Sequence, residues 1–256
     1  MNLFPFPRAS VAAMLCGAAF TVGGCASAPA YTSRPVAESH SSAGAMGDLR
    51  LARGALDSGD TALAASMYER ALSAAPDSPE AMLGLAEARY QAGDLEQAAQ
   101  MYTRAARHPA ASAAARLGLA RIAVRQRHLP EAVADYRQVL VEQPDNPLAY
   151  AGLGVALDLQ GRHGEAQEVY RKGLAMHADS QALRIDLGLS LILGGNPREG
   201  ANVLLDVTRI ADAPPQGRQN LALAYGLLGN DDAAEKVLLT ELPRASAQDD
   251  LHFYDA

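Results

Sequence analysis

Cysteine is nearly missing from this chain of 256 residues: only Cys16 and Cys25 occur, both in its first tenth. The remainder can therefore hold neither a disulfide framework nor a thiolate metal site. Positive charge is the minority sign, with Lys+Arg 22 against Asp+Glu 29 and a net charge of -7. Such a chain has no overall positive field to grip a phosphate backbone, so no nucleic-acid partner is expected. The local signatures of nucleophilic, metal and nucleotide chemistry are absent too: there is no H-E-x-x-H, no G-x-S-x-G and no G-x-x-x-x-G-K-[ST]. His163 with Glu165 could be read as an acid–base pair, but both fall in a turn and are expected to be solvated. Gly152-Leu153-Gly154 looks like part of a dinucleotide fingerprint, yet no strand precedes it, and close helix packing is the expectation. No catalytic residue, metal ligand or cofactor is assigned, and the chain is read as a non-enzyme.

Long apolar runs are lacking as well. The stretch Ala9 to Val22, after the single charge Arg8, has about 14 residues against the roughly 20 that a spanning helix needs. It fits the apolar region of an export signal covering residues 1–24. The stretch closes on Val22-Gly23-Gly24-Cys25, which resembles the lipobox of bacterial lipoproteins. That resemblance implies that Cys25 is lipidated and becomes the mature N-terminus. With Ala26 rather than Asp next, it implies the outer membrane, facing the periplasm. Each buried methylene of an acyl chain contributes about 0.8 kcal/mol in lipid, so several chains anchor firmly. Residues 25–44, rich in Ser, Ala, Pro and Gly without hydrophobic period, are expected to form a flexible tether with a reach on the order of 25 Å.

What the sequence does contain is a repeat. From Ala45 it divides into six windows of 34 residues, starting at Ala45, Pro79, Ala113, Pro147, Gln181 and Pro215, without insertion or deletion. Position 7 is always leucine (Leu51, Leu85, Leu119, Leu153, Leu187, Leu221) and position 20 always small (Ala64, Ala98, Ala132, Ala166, Gly200, Ala234). Position 24 is Tyr68, Tyr102, Tyr136, Tyr170, Leu204 and Leu238, and position 15 is glycine except for Arg127. Positions 4, 7, 8 and 11 share one face of a helix and 20, 24 and 27 one face of the next, so each window makes two antiparallel helices. Small residues at 8 and 20 let the pair approach, and glycine at 15 supplies a positive φ for the reversal. Pro76 and Pro144 at position 32 end the second helix.

This pattern resembles the tetratricopeptide repeat over residues 45–248 and implies an all-α fold, a right-handed α-solenoid of six helical hairpins with a concave groove. The family's Trp at position 4 is replaced by Asp48, Met82, Arg116, Tyr150, Arg184 and Arg218. Residues 249–256, with Leu251, Phe253 and Tyr254, are expected to cap the last apolar face.

In that family the groove is lined mainly by first-helix positions 2, 5, 6, 9, 12 and 13. Carried over, the first three windows offer Arg50, Arg53, Glu87, Tyr90, Arg121 and Arg125. The last three offer Leu148, Val155, Leu159, Ile185, Leu189, Ile192, Leu193, Leu223 and Leu227, an apolar lining expected to bind an apolar segment of a protein partner. The family's carboxylate clamp, which needs Lys, Asn and Arg from first helices, is not expected: the only lysines, Lys172 and Lys236, fall in second helices. Leader, lipobox, tether and six repeats together, with the stretches 184–191 and 218–229, resemble the lipoprotein of the tight-adherence (Tad, or Flp) pilus system. That implies an assembly factor whose partners are a secretin or its accessory proteins. The type IV pilus pilotin and a scaffold for peptidoglycan enzymes are the alternatives.

Overall fold

The structure is a computed structural model that describes residues 37–209 and 213–240. The expected export signal (1–24), Cys25, the tether up to residue 36, residues 241–248 and the expected cap (249–256) lie outside the described residues.

Among those described, twelve α-helices and no strand occur. They pair in chain order as α1 (Ala37–Asp57) with α2 (Thr61–Ala74), α3 (Pro79–Gln91) with α4 (Leu95–Ala105), and α5 (Ser112–Arg125) with α6 (Leu129–Glu142). The series continues as α7 (Pro147–Asp158) with α8 (His163–Met176), α9 (Gln181–Leu193) with α10 (Pro197–Thr208), and α11 (Pro215–Leu227) with α12 (Asp231–Leu238). The windows starting at Pro79, Pro147, Gln181 and Pro215 coincide with the first residue of a helix. Three of those residues are proline at the first helical position, where a missing N–H costs nothing and φ is already helical.

Local chemistry explains the boundaries. Ser78, Asn146 and Ser180 cap first helices by accepting from the N–H of Ala81, Ala149 and Leu183. Asp60, Asp94 and Asn230 do the same for second helices. Pro197, which sits in the fifth turn, opens α10 rather than weakening it. Pro109 nucleates a short 3₁₀ turn, Pro109–Ala111, that leads into α5. The α1 helix differs from expectation: it begins at Ala37, inside the segment expected to be a tether. Between Pro35 and Pro76 the chain has no proline, so nothing sterically stops a helix from extending back from the first repeat.

All six turns share one backbone solution. The N–H at position 15 reaches the carbonyl at 12, and the N–H at 16 reaches the carbonyl at 11, as in Gly59 to Leu56 and Asp60 to Ala55. This Schellman closure puts position 15 in the left-handed region, with φ of 81° at Gly59 and 63° at Arg127. Arginine there keeps the geometry and bears the steric cost of its Cβ.

Packing runs along the chain from neighbour to neighbour. Ala52 and Ala55 of α1 meet Ala64, Ala65 and Tyr68 of α2 and Ala81, Leu85 and Ala88 of α3. The largest cluster joins α5 to α9 around Tyr136, Leu153, Leu157, Tyr170, Leu183 and Leu191. Position 24 is the wedge of each hairpin. A Cβ added at Gly84, Gly118 or Gly152, all at position 6, would run into the ring of Tyr68, Tyr102 or Tyr136 from the preceding hairpin. Glycine at 6 is therefore the socket that lets each tyrosine wedge lie against the next first helix.

Candidate protein-binding groove

The first helices present positions 6 and 9 on one face, and over hairpins one to three this face encloses a cavity of about 500 Å³. Its floor is Gly84 and Gly118 with the Tyr68 and Tyr102 rings, and its walls include Leu83, Leu117, Arg53 and Arg121. The charges there cancel in pairs. Arg53 bonds Glu80 at 2.6 Å, and Arg121 forks onto Glu87 at 2.8 and 3.3 Å. Glu87 also accepts the Tyr102 hydroxyl at 2.8 Å. Burial alone would raise the Glu87 carboxyl, but the bonds from Arg121 and Tyr102 outweigh it and hold the group below the usual range. Arg121 and Arg125 lie over the Tyr90 ring at 4.2 and 5.0 Å. The residues expected to line this half thus bind mainly one another. Sequence reading did not anticipate the cavity, although glycine at position 6 in windows two to four was its signal.

In hairpins four to six the expected apolar lining divides. Leu148 (65% exposed), Leu193 (53%), Leu227 (52%), Leu159 (41%) and Val155 (36%) stand open to solvent, and Leu189 and Leu223 are half-buried. Ile185 and Ile192 are not groove residues. They are buried with Ala201, Leu204, Val207, Leu221 and Ala224. The cause is local: Gly217 leaves a slot 3.5 Å from Ile185 Cγ1, and Gly200 another 2.7 Å from Ile192 Cγ1, each measured to where a Cβ would stand. The two isoleucines fill these slots instead of facing outward.

Beside the exposed leucines lies a polar knot. Asp158 accepts from the Ser190 hydroxyl at 2.7 Å and the Tyr170 hydroxyl at 3.0 Å, and lies 2.8 Å from His163 Nδ1. Gln167 Nε2 adds a bond to the Ser190 carbonyl at 3.2 Å. His163 is thus part of a packed network rather than a solvated turn, and Glu165 turns away to Arg162 at 2.7 Å. A serine, a histidine and an aspartate meet here, but both the serine hydroxyl and the imidazole bond to the carboxylate. The imidazole does not bond the hydroxyl, so the knot lacks the serine–histidine–aspartate order of a nucleophilic triad. Gly152 and Gly154 lie within α7 against Tyr136 and Tyr170, which makes them packing glycines. Among the described residues no group of three His, Cys, Asp or Glu could hold a metal ion, and no helix is long and apolar enough to cross a membrane.

Asp186 completes this half. It stands at position 6, where three earlier hairpins have glycine, and burial, then the charge of Asp158, push its carboxyl up to about 6. Among the described residues it accepts no hydrogen bond.

Comparisons with known proteins agree with this architecture. Two models of the tetratricopeptide repeat match, over residues 55–108 and 117–182. No curated protein matches the sequence. Among solved structures, the chain is similar to pilF of Pseudomonas aeruginosa, with 15% identity over 78% of this chain and 91% of that one and a TM-score of 0.65. It is also similar to PilW, a widely conserved type IV pilus biogenesis factor, with 19% identity, 77% and 93% coverage and a TM-score of 0.69. Cut9-Hcn1, an APC/C hetero-tetramer, gives 17% identity and a TM-score of 0.71 over 83% of this chain and 43% of that one. Identities this low speak for the fold alone. Repeat register, turn geometry and family matches together make the chain a tetratricopeptide-repeat protein.

Proposed function

We propose that the chain is a non-enzymatic scaffold that binds a segment of another protein along its concave face, within a pilus assembly machine. The observation that carries the reading is the open apolar face of Leu148, Val155, Leu159, Leu193 and Leu227, because several large apolar side chains left in solvent on one side of a solenoid favour a protein contact. Tethered to the outer membrane through lipidated Cys25, the domain would work from the periplasmic side. The machine is taken to be the tight-adherence pilus, and the bound protein its secretin or a secretin accessory. The likeness in fold to pilF and PilW favours a second reading, a type IV pilus biogenesis factor acting in the same manner.

Deleting the gene should remove assembled secretin multimers from the outer membrane, and the wild-type gene should restore them. A gene carrying Leu159→Glu with Leu193→Glu should not restore them, although its product accumulates to the same level. Normal secretin multimers and pili in the deletion strain would overturn the pilus reading. Cys25→Ser should shift the protein from the outer-membrane fraction to the soluble periplasm; unchanged membrane recovery would remove the lipid anchor from the proposal.

A further inference from the structure

Position 6 is a glycine socket in hairpins two to four, and in hairpins two and three Gly84 and Gly118 floor the groove cavity. Hairpin five places a carboxylate at that same point, Asp186, on the groove side of α9. Leu189 and Leu193, three and seven residues further along, share its helix face. The Tyr170 ring packs on Gly154 of its own hairpin, and its hydroxyl is bonded to Asp158.

The charges around this point are of one sign. On α7 the neighbouring charge is Asp158, already engaged by Ser190, Tyr170 and His163. On α9 itself Arg184 is committed to the carbonyl of Ala178. A half-buried carboxylate beside a second one, with no hydrogen bond among the described residues, is costly in the free protein. It becomes favourable once a cation is brought to it in a place partly screened from water. Leu148, Val155 and Leu159, in and at the end of α7, and Leu189 and Leu193 of α9 are the exposed or half-buried apolar side chains of these two first helices. In the first half of the groove, by contrast, Arg53–Glu80 and Arg121–Glu87 already neutralise each other.

Resting on the scaffold reading above, and deepening it, we propose that hairpins four and five dock an apolar segment of a partner protein that carries one lysine or arginine, whose cationic head pairs with Asp186. Hydrophobic burial supplies the attraction, and the carboxylate selects which apolar segment is accepted.

The test uses the purified protein and a phage-displayed library of random dodecapeptides, followed by binding measurements on synthetic versions of the enriched sequences. Enriched peptides should share a Lys or Arg within four residues of two large apolar side chains. Changing that base to norleucine should weaken binding about tenfold. Asp186→Asn should weaken the basic peptide to a similar degree, leave the norleucine peptide unchanged, and lose the basic preference when selected afresh. Leu159→Glu with Leu193→Glu should abolish binding of both. Enriched peptides without a basic preference, or a preference that survives Asp186→Asn, would overturn the role of Asp186 and leave the groove reading standing. Failure of wild-type protein to enrich any sequence would sink both. Enrichment appearing only after residues 241–256 are removed would assign the face to the chain's own tail, and a wild-type dimer dissociated by Leu193→Glu would assign it to a second copy; either result overturns the partner.

Discussion

The ring of Tyr170 packs on Gly154 and its hydroxyl donates to Asp158 at 3.0 Å, both within its own hairpin. Tyr68, Tyr102 and Tyr136, at the same repeat position, lie on the glycine of the following hairpin, and the Tyr102 hydroxyl likewise donates to Glu87 of its own. That following position is Asp186 in the fourth case. The socket is there exchanged for a carboxylate, and burial, then the charges of Asp158 and Asp186, raise the Tyr170 hydroxyl.

Asp186 should report on this arrangement through pH. Its carboxyl titrates at about 6 in the folded chain against 3.8 ordinarily. The folded state thus takes up its proton first as pH falls, and stability from this group is lost as pH rises from the ordinary value through the raised one. Relative to wild type, Asp186→Asn should be more stable at pH 7.5 by on the order of 2 kcal/mol, allowing for residual solvent contact, and the difference should vanish near pH 4. Urea denaturation across pH 4–8 measures this directly; a difference independent of pH would contradict it.

The Arg127 turn offers a second measurement. It shares the left-handed conformation of the five turn glycines, with φ 63°. Arg127→Gly removes a Cβ clash worth about 1 kcal/mol, part of which is lost to the freer unfolded chain. A net gain of roughly 0.5 kcal/mol in denaturant unfolding is expected, and a loss would show that the arginine side chain stabilises the turn by some other contact.

Glycines at different repeat positions should behave oppositely. Gly118→Ala drives a methyl into the Tyr102 ring, and the interlock should cost about 2 kcal/mol. In Gly54→Ala the added methyl meets nothing within 4 Å, in the last turn of α1, so this change should stabilise by about 0.5 kcal/mol. Thermal melts of the two variants beside wild type decide it.

Adjacent residues of α9 make the sharpest contrast. Ile192 is 4% exposed and Leu193 53%. Ile192→Glu buries an unpaired charge and should cost at least about 3 kcal/mol, whereas Leu193→Glu should stay within about 0.5 kcal/mol while abolishing peptide binding. Circular dichroism melts paired with the binding assay separate the two effects.

The same pair shows how far the sequence could be read. The hairpin boundaries were legible because leucine at 7, small residues at 8 and 20 and the turn glycines recur at a fixed interval, and each has a local steric reason. Arg127 obeys that interval although its chemistry disfavours the conformation, since the closure bonds on either side leave no other solution. The groove was legible only in part. Whether position 5 or 12 faces outward depends on side-chain volume across the interface, and the slots at Gly217 and Gly200 that accept Ile185 and Ile192 belong to other helices. The knot at Asp158 was hidden for a related reason: Ser190 is 32 residues away and meets it only when two hairpins stack. The early start of α1 escaped notice because its first turns carry no apolar period to mark them.

Asp158 joins α7, α8 and α9 through three directional bonds, whereas contacts between small alanine faces can slide at little cost. Glu87 joins α3, α4 and α5 in the same way through Tyr102 and Arg121, so the solenoid carries two such cross-braced joints. A segment that docked beside the Asp158 joint would meet three helices already fixed to one another by directional bonds, so less ordering entropy would be lost on association.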